Sequence, residues 1–404
     1  MLYHAIDTQC DLAQNMSCWG KIIDNAVLPL VDSTLPYQAK WLSAASRLMM
    51  RSGPTFKRPN YNIGQVRIGN SLVQVLEETL ISTPFATLLH FRKDVTVLQP
   101  KVLVLAPLSG HFATLLRNTV RTLLPDHDVY ITDWHNARDV PVLDGVFGFD
   151  DYVDHVIRFL DEIGEGSHLL AVCQPAVQAL AASAVMANTN HAAQPRSMVL
   201  MAGPVDCRIG PTSVNLLATS KPIDWFDHNL VFSVSERHKG AGRRVYPGFI
   251  QIAAFVAMNA QRHCQAHQDL FWHYLLEETI KAKAVETFYD EYFAVLDLTA
   301  EFYLETVKIV FQDFNLARNE LTYRGKQIDM RSIHNTALMT VEGERDDICS
   351  VGQTRAAHDL CSSLEPSMRA HHLQADVGHY GVFSGRRWES QIYPAVREFI
   401  HSHL

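Results

Sequence analysis

The stretch HLLAVCQPAVQAL, His168 to Leu180, changes character at a single residue. His168 to Val172 is an apolar run of the kind that forms a strand buried on both faces, whereas the small-residue sequence AVQALAASAVMA beyond Pro175 reads as a helix packed closely on a sheet. Cys173 sits where strand gives way to helix. Pro175 suits the first helical turn, where its missing N–H costs nothing. In open sheets of parallel strands the working groups gather at the carboxyl ends of the strands, so this cysteine stands where chemistry is done. A helix start there also supplies free backbone N–H groups and the positive end of a helix dipole, which favour a thiolate and stabilise an oxyanion.

The surrounding chain repeats the pattern. KVLVLAP (Lys101 to Pro107), HDVYITDW (ending at Trp134), SMVLMAGP (Ser197 to Pro204) and TALMTVEG (Thr336 to Gly343) are strand-like, and TLLRNTVRTLLP and DDYVDHVIRFLDEIG are amphipathic helices among them. Upstream, VRIGNSLVQVLEETLIST and LLHFRK add β-type runs that are also expected to alternate with helices. Continuous apolar strands, each followed by a helix, require a mostly parallel sheet with helices on both faces, so the expected class is α/β. Residues 1–60 read as a helical N-terminal extension, and residues 61–205 together with 335–404 as the core. Across residues 206–334 the alternation fails. There ETFYDEYFAVLDLTAEFYLETVKIVFQDF sets Tyr289, Tyr292, Phe293, Leu296, Tyr303, Val307 and Val310 at helical spacing, which predicts an inserted helical cap or lid, a second helical domain being the alternative.

Composition bounds the function. With 404 residues, 47% of them hydrophobic and 19% charged, the chain has material for a large core, so disorder and coiled coil are excluded. A net charge of −8 argues against a nucleic-acid partner, which needs a positive field. No apolar run nears the roughly 18 residues that suggest a membrane span. The N-terminal MLYHAID lacks the basic start and short apolar core of an export signal, so none is expected. Cys10, Cys18, Cys173, Cys207, Cys264, Cys349 and Cys361 form an odd, scattered set with no CxxC pair, which reads as reduced thiols in a cytoplasmic protein. Homo-oligomerisation is left open.

Cys173 in this setting has the nucleophile-elbow layout of α/β-hydrolases, with cysteine in place of serine. The usual G-x-S-x-G is here A-V-C-Q-P, in which Ala171 is small enough for the first position but Pro175 replaces the last glycine. On that pattern alone a buried structural cysteine fits as well as a nucleophile. The downstream order moves the balance, because in such enzymes a carboxylate and then a histidine follow the nucleophile. Asp346 lies three residues past Gly343, on the loop leaving a strand, with Asp347 as its competitor. His379 lies in QADVGHYGVF, about where a last strand hands over to the final helix. An oxyanion hole would take the backbone N–H of Gln174 and a second donor from Ser109-Gly110-His111, a loop that reads equally well as a capped tight turn.

APLSGHFATLLRNTVRTLLPDHDVYITDW, AVCQP, MAGPVDCRIGPTSVN, GRRVYPGFIQIAAFVAMN, FYDEYFAVLDLTAEFYL, MTVEGERDDICSVGQTRAAHDLC and GHYGVFSGRRW are long blocks of unusual composition. Through them the chain resembles, nearly end to end, the intracellular polyhydroxybutyrate depolymerases of the polyhydroxyalkanoate depolymerase family. The resemblance implies a Cys-Asp-His triad of Cys173 in VCQP, Asp346 in GERDD and His379 in GHYG, acting on short-chain polyester stored in intracellular granules. The A-V-C-Q-P box is itself typical of that family, so Pro175 ceases to be an objection. The partner expected is polyester at a granule surface, reached through aromatics within residues 245–314, and no cofactor or metal is called for.

Other patterns weigh less. His263 and His267 in RHCQAHQ have a zinc-compatible spacing but lack the glutamate of H-E-x-x-H, and Arg243 and Arg244 suit either an anion or an ordinary basic loop. No nucleotide-binding glycine motif is present. Alternatives to hydrolysis are synthase-type acyl transfer, for which G-x-C-x-G is the usual box, thiolysis by coenzyme A, and a non-catalytic granule protein.

Overall fold

The computed structural model describes residues 2–27, 36–51, 54–258 and 260–404. Of the expected N-terminal extension, residues 1, 28–35, 52 and 53 lie outside the described residues, as does the Cys10 side chain. The rest of that segment is helical over Leu2–Ile22 and Pro36–Met49.

Nine strands form the main sheet. In chain order they begin with β1 (Gln65–Ile68), β2 (Ser71–Ser82), β3 (Ala86–Lys93), β4 (Lys101–Leu105), β5 (Asp128–Trp134), β6 (Ser167–Val172) and β7 (Ser197–Met201). Five short strands follow: β8 (Phe232–Ser233), β9 (Arg244–Tyr246), β10 (Leu298–Thr299), β11 (Thr322–Tyr323) and β12 (Lys326–Gln327). The main sheet is completed by β13 (Ala337–Gly343) and β14 (Arg369–Gln374), giving the order β1-β2-β3-β5-β4-β6-β7-β13-β14. From β5 to β14 every neighbouring pair is parallel, and β1, β2 and β3 make an antiparallel edge against β5. This is the mostly parallel sheet of an α/β-hydrolase fold. Strands β6, β7 and β13 are buried at every position, which requires cover on both faces.

Two local expectations are corrected. No helix separates β1, β2 and β3, which are joined as a meander; Gly69, at φ +57°, permits the tight turn between the first two. The long aromatic run is not one continuous helix either. Thr279–Tyr292 and Ala300–Thr306 are helical, but the chain between them turns away to bond with loops. Leu296 N–H donates to Gly110 O and Asp297 N–H to Asn136 Oδ1, while the buried Asp297 carboxylate accepts from Gly248 N–H and the Tyr3 hydroxyl. Those external partners outcompete helix continuation, and β10 pairs with β9 instead.

The chain reverses direction across the sheet between β4 and β6, so the crevice beyond their carboxyl ends is the topological switch point. The β6 turn into the helix Ala176–Asn188 is crowded. A Cβ on Gly203 would lie 2.2 Å from Ala176 Cβ and 3.0 Å from Cys173 O, so the space that a glycine after the nucleophile usually provides comes here from Gly203 across the neighbouring strand end. Gly203→Ala should therefore lower unfolding stability by about 1–3 kcal/mol, seen as a lower urea midpoint; an unchanged midpoint would show that the turn is not packed in this way.

Candidate active site

Four loops leave the carboxyl ends of β4, β6, β13 and β14 and meet at the switch point. Cys173 ends β6 at φ +66°, a left-handed conformation that non-glycine residues rarely adopt. Its backbone is held there from both sides: Cys173 N–H donates to Met201 O at 2.7 Å, and Cys173 O accepts from Ala176 N–H at 3.2 Å. The turn lifts the thiol out of the sheet at the start of the helix Ala176–Asn188.

Asp346 follows β13 and His379 follows β14, and the two are bonded. His379 Nδ1 lies 2.8 Å from Asp346 Oδ2 with both side chains buried. The other carboxylate oxygen accepts the backbone N–H groups of Ile348 at 2.9 Å and Cys349 at 2.8 Å, so Asp346 is held in place before it acts on the ring. Asp347, by contrast, is exposed. The remaining imidazole nitrogen is left for the Cys173 sulfur, which acts electrostatically on the ring. Burial pulls the His379 imidazole down, but the Asp346 carboxylate and the Cys173 sulfur outweigh it and hold the ring well above the ordinary histidine range. The three residues singled out from the sequence are thus brought together.

They open into a cavity of about 400 Å³. Cys173, Gln174, His379, Leu108, Ser109 and His111 contribute to its polar end. Its remaining walls are largely apolar and come in good part from residues between β7 and β13, with Phe226, Tyr246, Phe302, Tyr303 and Phe311 among them. Gly110 does not line the cavity; at φ +95° it packs under Gln251, which a Cβ there would approach to 3.0 Å. His111 is buried, its Nε2 bonded to Tyr292 O at 3.2 Å, and burial pulls its pKa down to about 4, so the ring is neutral. The sequence reading missed Leu108. Its N–H donates to Gln174 Oε1 at 3.3 Å, tying the β4 loop to the residue after Cys173, and no sequence pattern announces a bond between two loops so far apart. Arg243, considered for anion binding, is instead used on the Val140, Pro141 and Gly145 carbonyls.

Residues 202–403 match the family described as PHB de-polymerase C-terminus, half of the chain. The chain belongs to that family. Asp346 and His379 fall within the matched residues of this PHB depolymerase family member, and Cys173 precedes them. A curated relative, the poly(3-hydroxyalkanoate) polymerase subunit PhaC of Haloferax mediterranei, is 28% identical over 104 residues, which cover 26% of this chain and only 20% of that protein. Among solved structures, a putative lipase from Acinetobacter baumannii is similar at 13% identity over 81% of this chain and 93% of its own (TM-score 0.44). A thermophilic esterase from Thermogutta terrifontis is similar at 11% identity over 82% of this chain and 100% of its own (TM-score 0.42). Among the described residues, no helix is long and apolar enough to cross a membrane.

The geometry separates the two adjacent carboxylates by experiment. Asp346→Asn should lower the His379 pKa by about 1–3 pH units in an NMR titration of the ring, while Asp347→Asn leaves it in place; the reverse result would contradict the pairing.

Proposed function

We propose that the protein hydrolyses stored short-chain polyhydroxyalkanoate, poly-3-hydroxybutyrate in particular, through a thioester on Cys173. The observation that carries this reading is the Asp346–His379 bond at 2.8 Å beside a cysteine whose backbone is held at φ +66°. In the first half-reaction His379 holds the proton of Cys173, and the thiolate attacks an ester carbonyl to form the C–S bond. The oxyanion is received by the Gln174 N–H, with Ser109 and His111 of the β4 loop in the adjoining wall. Collapse breaks the C–O bond, and His379 delivers the proton to the departing hydroxyl of the shortened chain. In the second half-reaction His379 takes a proton from water, whose hydroxide attacks the thioester, and the hydroxyacid leaves as the thiol is restored.

The apolar walls suit a polyester, whose repeat offers little to bond except carbonyls. A granule surface inside the cell is the setting that this substrate implies, and aromatics of the inserted residues are the contact we assign to it. The polymerase relative motivates one competing reading, in which a growing chain's hydroxyl replaces water as acceptor.

The two readings part in one assay. Wild-type protein given amorphous poly-3-hydroxybutyrate granules should release hydroxyacid, and Cys173→Ala should release at least about a thousandfold less. Polymer formed from 3-hydroxybutyryl-CoA, without hydroxyacid from granules, would replace hydrolysis by acyl transfer. An active alanine variant would remove Cys173 from the chemistry altogether.

A further inference from the structure

The oxyanion formed at Cys173 needs more than one donor, and the β4 loop has already committed one of its own. Leu108, the first residue beyond Pro107 able to donate a backbone N–H into the crevice, directs that N–H to Gln174 Oε1 at 3.3 Å. A different donor stands in the same cavity. Tyr380 follows His379 directly and lines the cavity with Cys173. Its ring is clamped edge-on between His379 (centroids 5.9 Å apart, 90° between planes), Tyr292 (6.2 Å) and Phe288 (6.4 Å), and lies against Phe383 at 5.8 Å. Four rings therefore fix where the hydroxyl sits. Among the described residues that hydroxyl has no hydrogen-bond partner and is not sealed from solvent, on a side chain that lines the cavity. A phenol held by four rings on the wall of the cavity that Cys173 also lines is placed to bond a group that enters it.

We propose that the Tyr380 hydroxyl is the second oxyanion donor, bonding the carbonyl oxygen of the ester that Cys173 attacks. This rests on the reading of Cys173 as nucleophile. Burial first, then the neighbouring Tyr292 hydroxyl, the Cys173 sulfur and the Asp347 carboxylate, push the phenol far above its ordinary pKa, so it remains a protonated donor throughout the working range. A donor fixed before the substrate binds needs no reorganisation as charge develops on the carbonyl oxygen. The bond shortens and strengthens as the C=O becomes C–O⁻, and is released when the carbonyl re-forms. No proton changes hands at Tyr380.

The test is Tyr380→Phe, which keeps the clamped ring and deletes one oxygen. With p-nitrophenyl butyrate and with a soluble 3-hydroxybutyrate oligomer, kcat should fall by about 10²–10³-fold on both, KM should change little, and alkylation of Cys173 by iodoacetamide, which forms no oxyanion, should keep its wild-type rate. Loss confined to the oligomer would overturn the assignment, because a p-nitrophenolate leaves without assistance and the hydroxyl would then be serving the leaving group. An unchanged kcat on both substrates would overturn it as well, as would a matching loss of alkylation, which would mean that the variant disturbs the thiol itself. Cys173→Ala run alongside keeps the two claims apart: a dead alanine variant beside a fully active phenylalanine variant sinks only the role of Tyr380, whereas an active alanine variant sinks the nucleophile.

Discussion

A left-handed turn at one cysteine sets the terms for the rest of the molecule. At φ +66° Cys173 carries a backbone strain that few non-glycine residues bear, and the strain persists only because the surroundings over-determine it. The Met201 carbonyl fixes the amide from the next strand, and the first helical turn fixes the carbonyl. Gly203 lets the two backbones approach closely, since a Cβ there would meet Ala176 Cβ at 2.2 Å. A strand this buried cannot slide to relieve the turn, since a one-residue slip would turn every side chain of β6 over. The sheet is thus a clamp that presents one sulfur.

Around that sulfur the electrostatics follow from burial. A neutral imidazole would be the more stable state in an apolar site, and His111, nearby and without a carboxylate, shows that outcome with its pKa lowered to about 4. His379 differs because Asp346 lies 2.8 Å away and is itself held by two backbone N–H groups. One local difference in partners therefore sends two buried histidines in opposite directions. Residues between β7 and β13 supply aromatic walls to the cavity, and an apolar surround strengthens each of these interactions.

Much of this was legible in the residues, and the limits were physical. The strand-to-helix switch at Cys173 showed because a fully buried strand and an alanine-rich helix have different periods. Asp346 and His379 could be placed because each comes just after a strand, where the open sheet collects its working groups. Spacing alone did not separate Asp346 from its competitor Asp347, because burial, the His379 bond and the Ile348 and Cys349 amides distinguish them only in the folded chain. The antiparallel edge at β1 to β3 escaped because an apolar run does not specify which strand will pair with it, or in which direction. The break at residues 294–298 escaped for a deeper reason, since helical spacing continues through it and distant partners, Thr55, Gly110, Asn136, Gly248 and Tyr3 among them, interrupt it. Tyr380 had no signal at all, since one aromatic beside a histidine looks like core until the cavity is seen.

The central claim is that an acyl group passes through the Cys173 sulfur, and intermediate trapping tests it most directly. Rapid acid quenching during turnover of a soluble 3-hydroxybutyrate ester, followed by peptide mass spectrometry, should find one hydroxybutyryl group on the peptide bearing Cys173, removable by hydroxylamine. Product release with no adduct there, or an adduct on another side chain, would contradict the account.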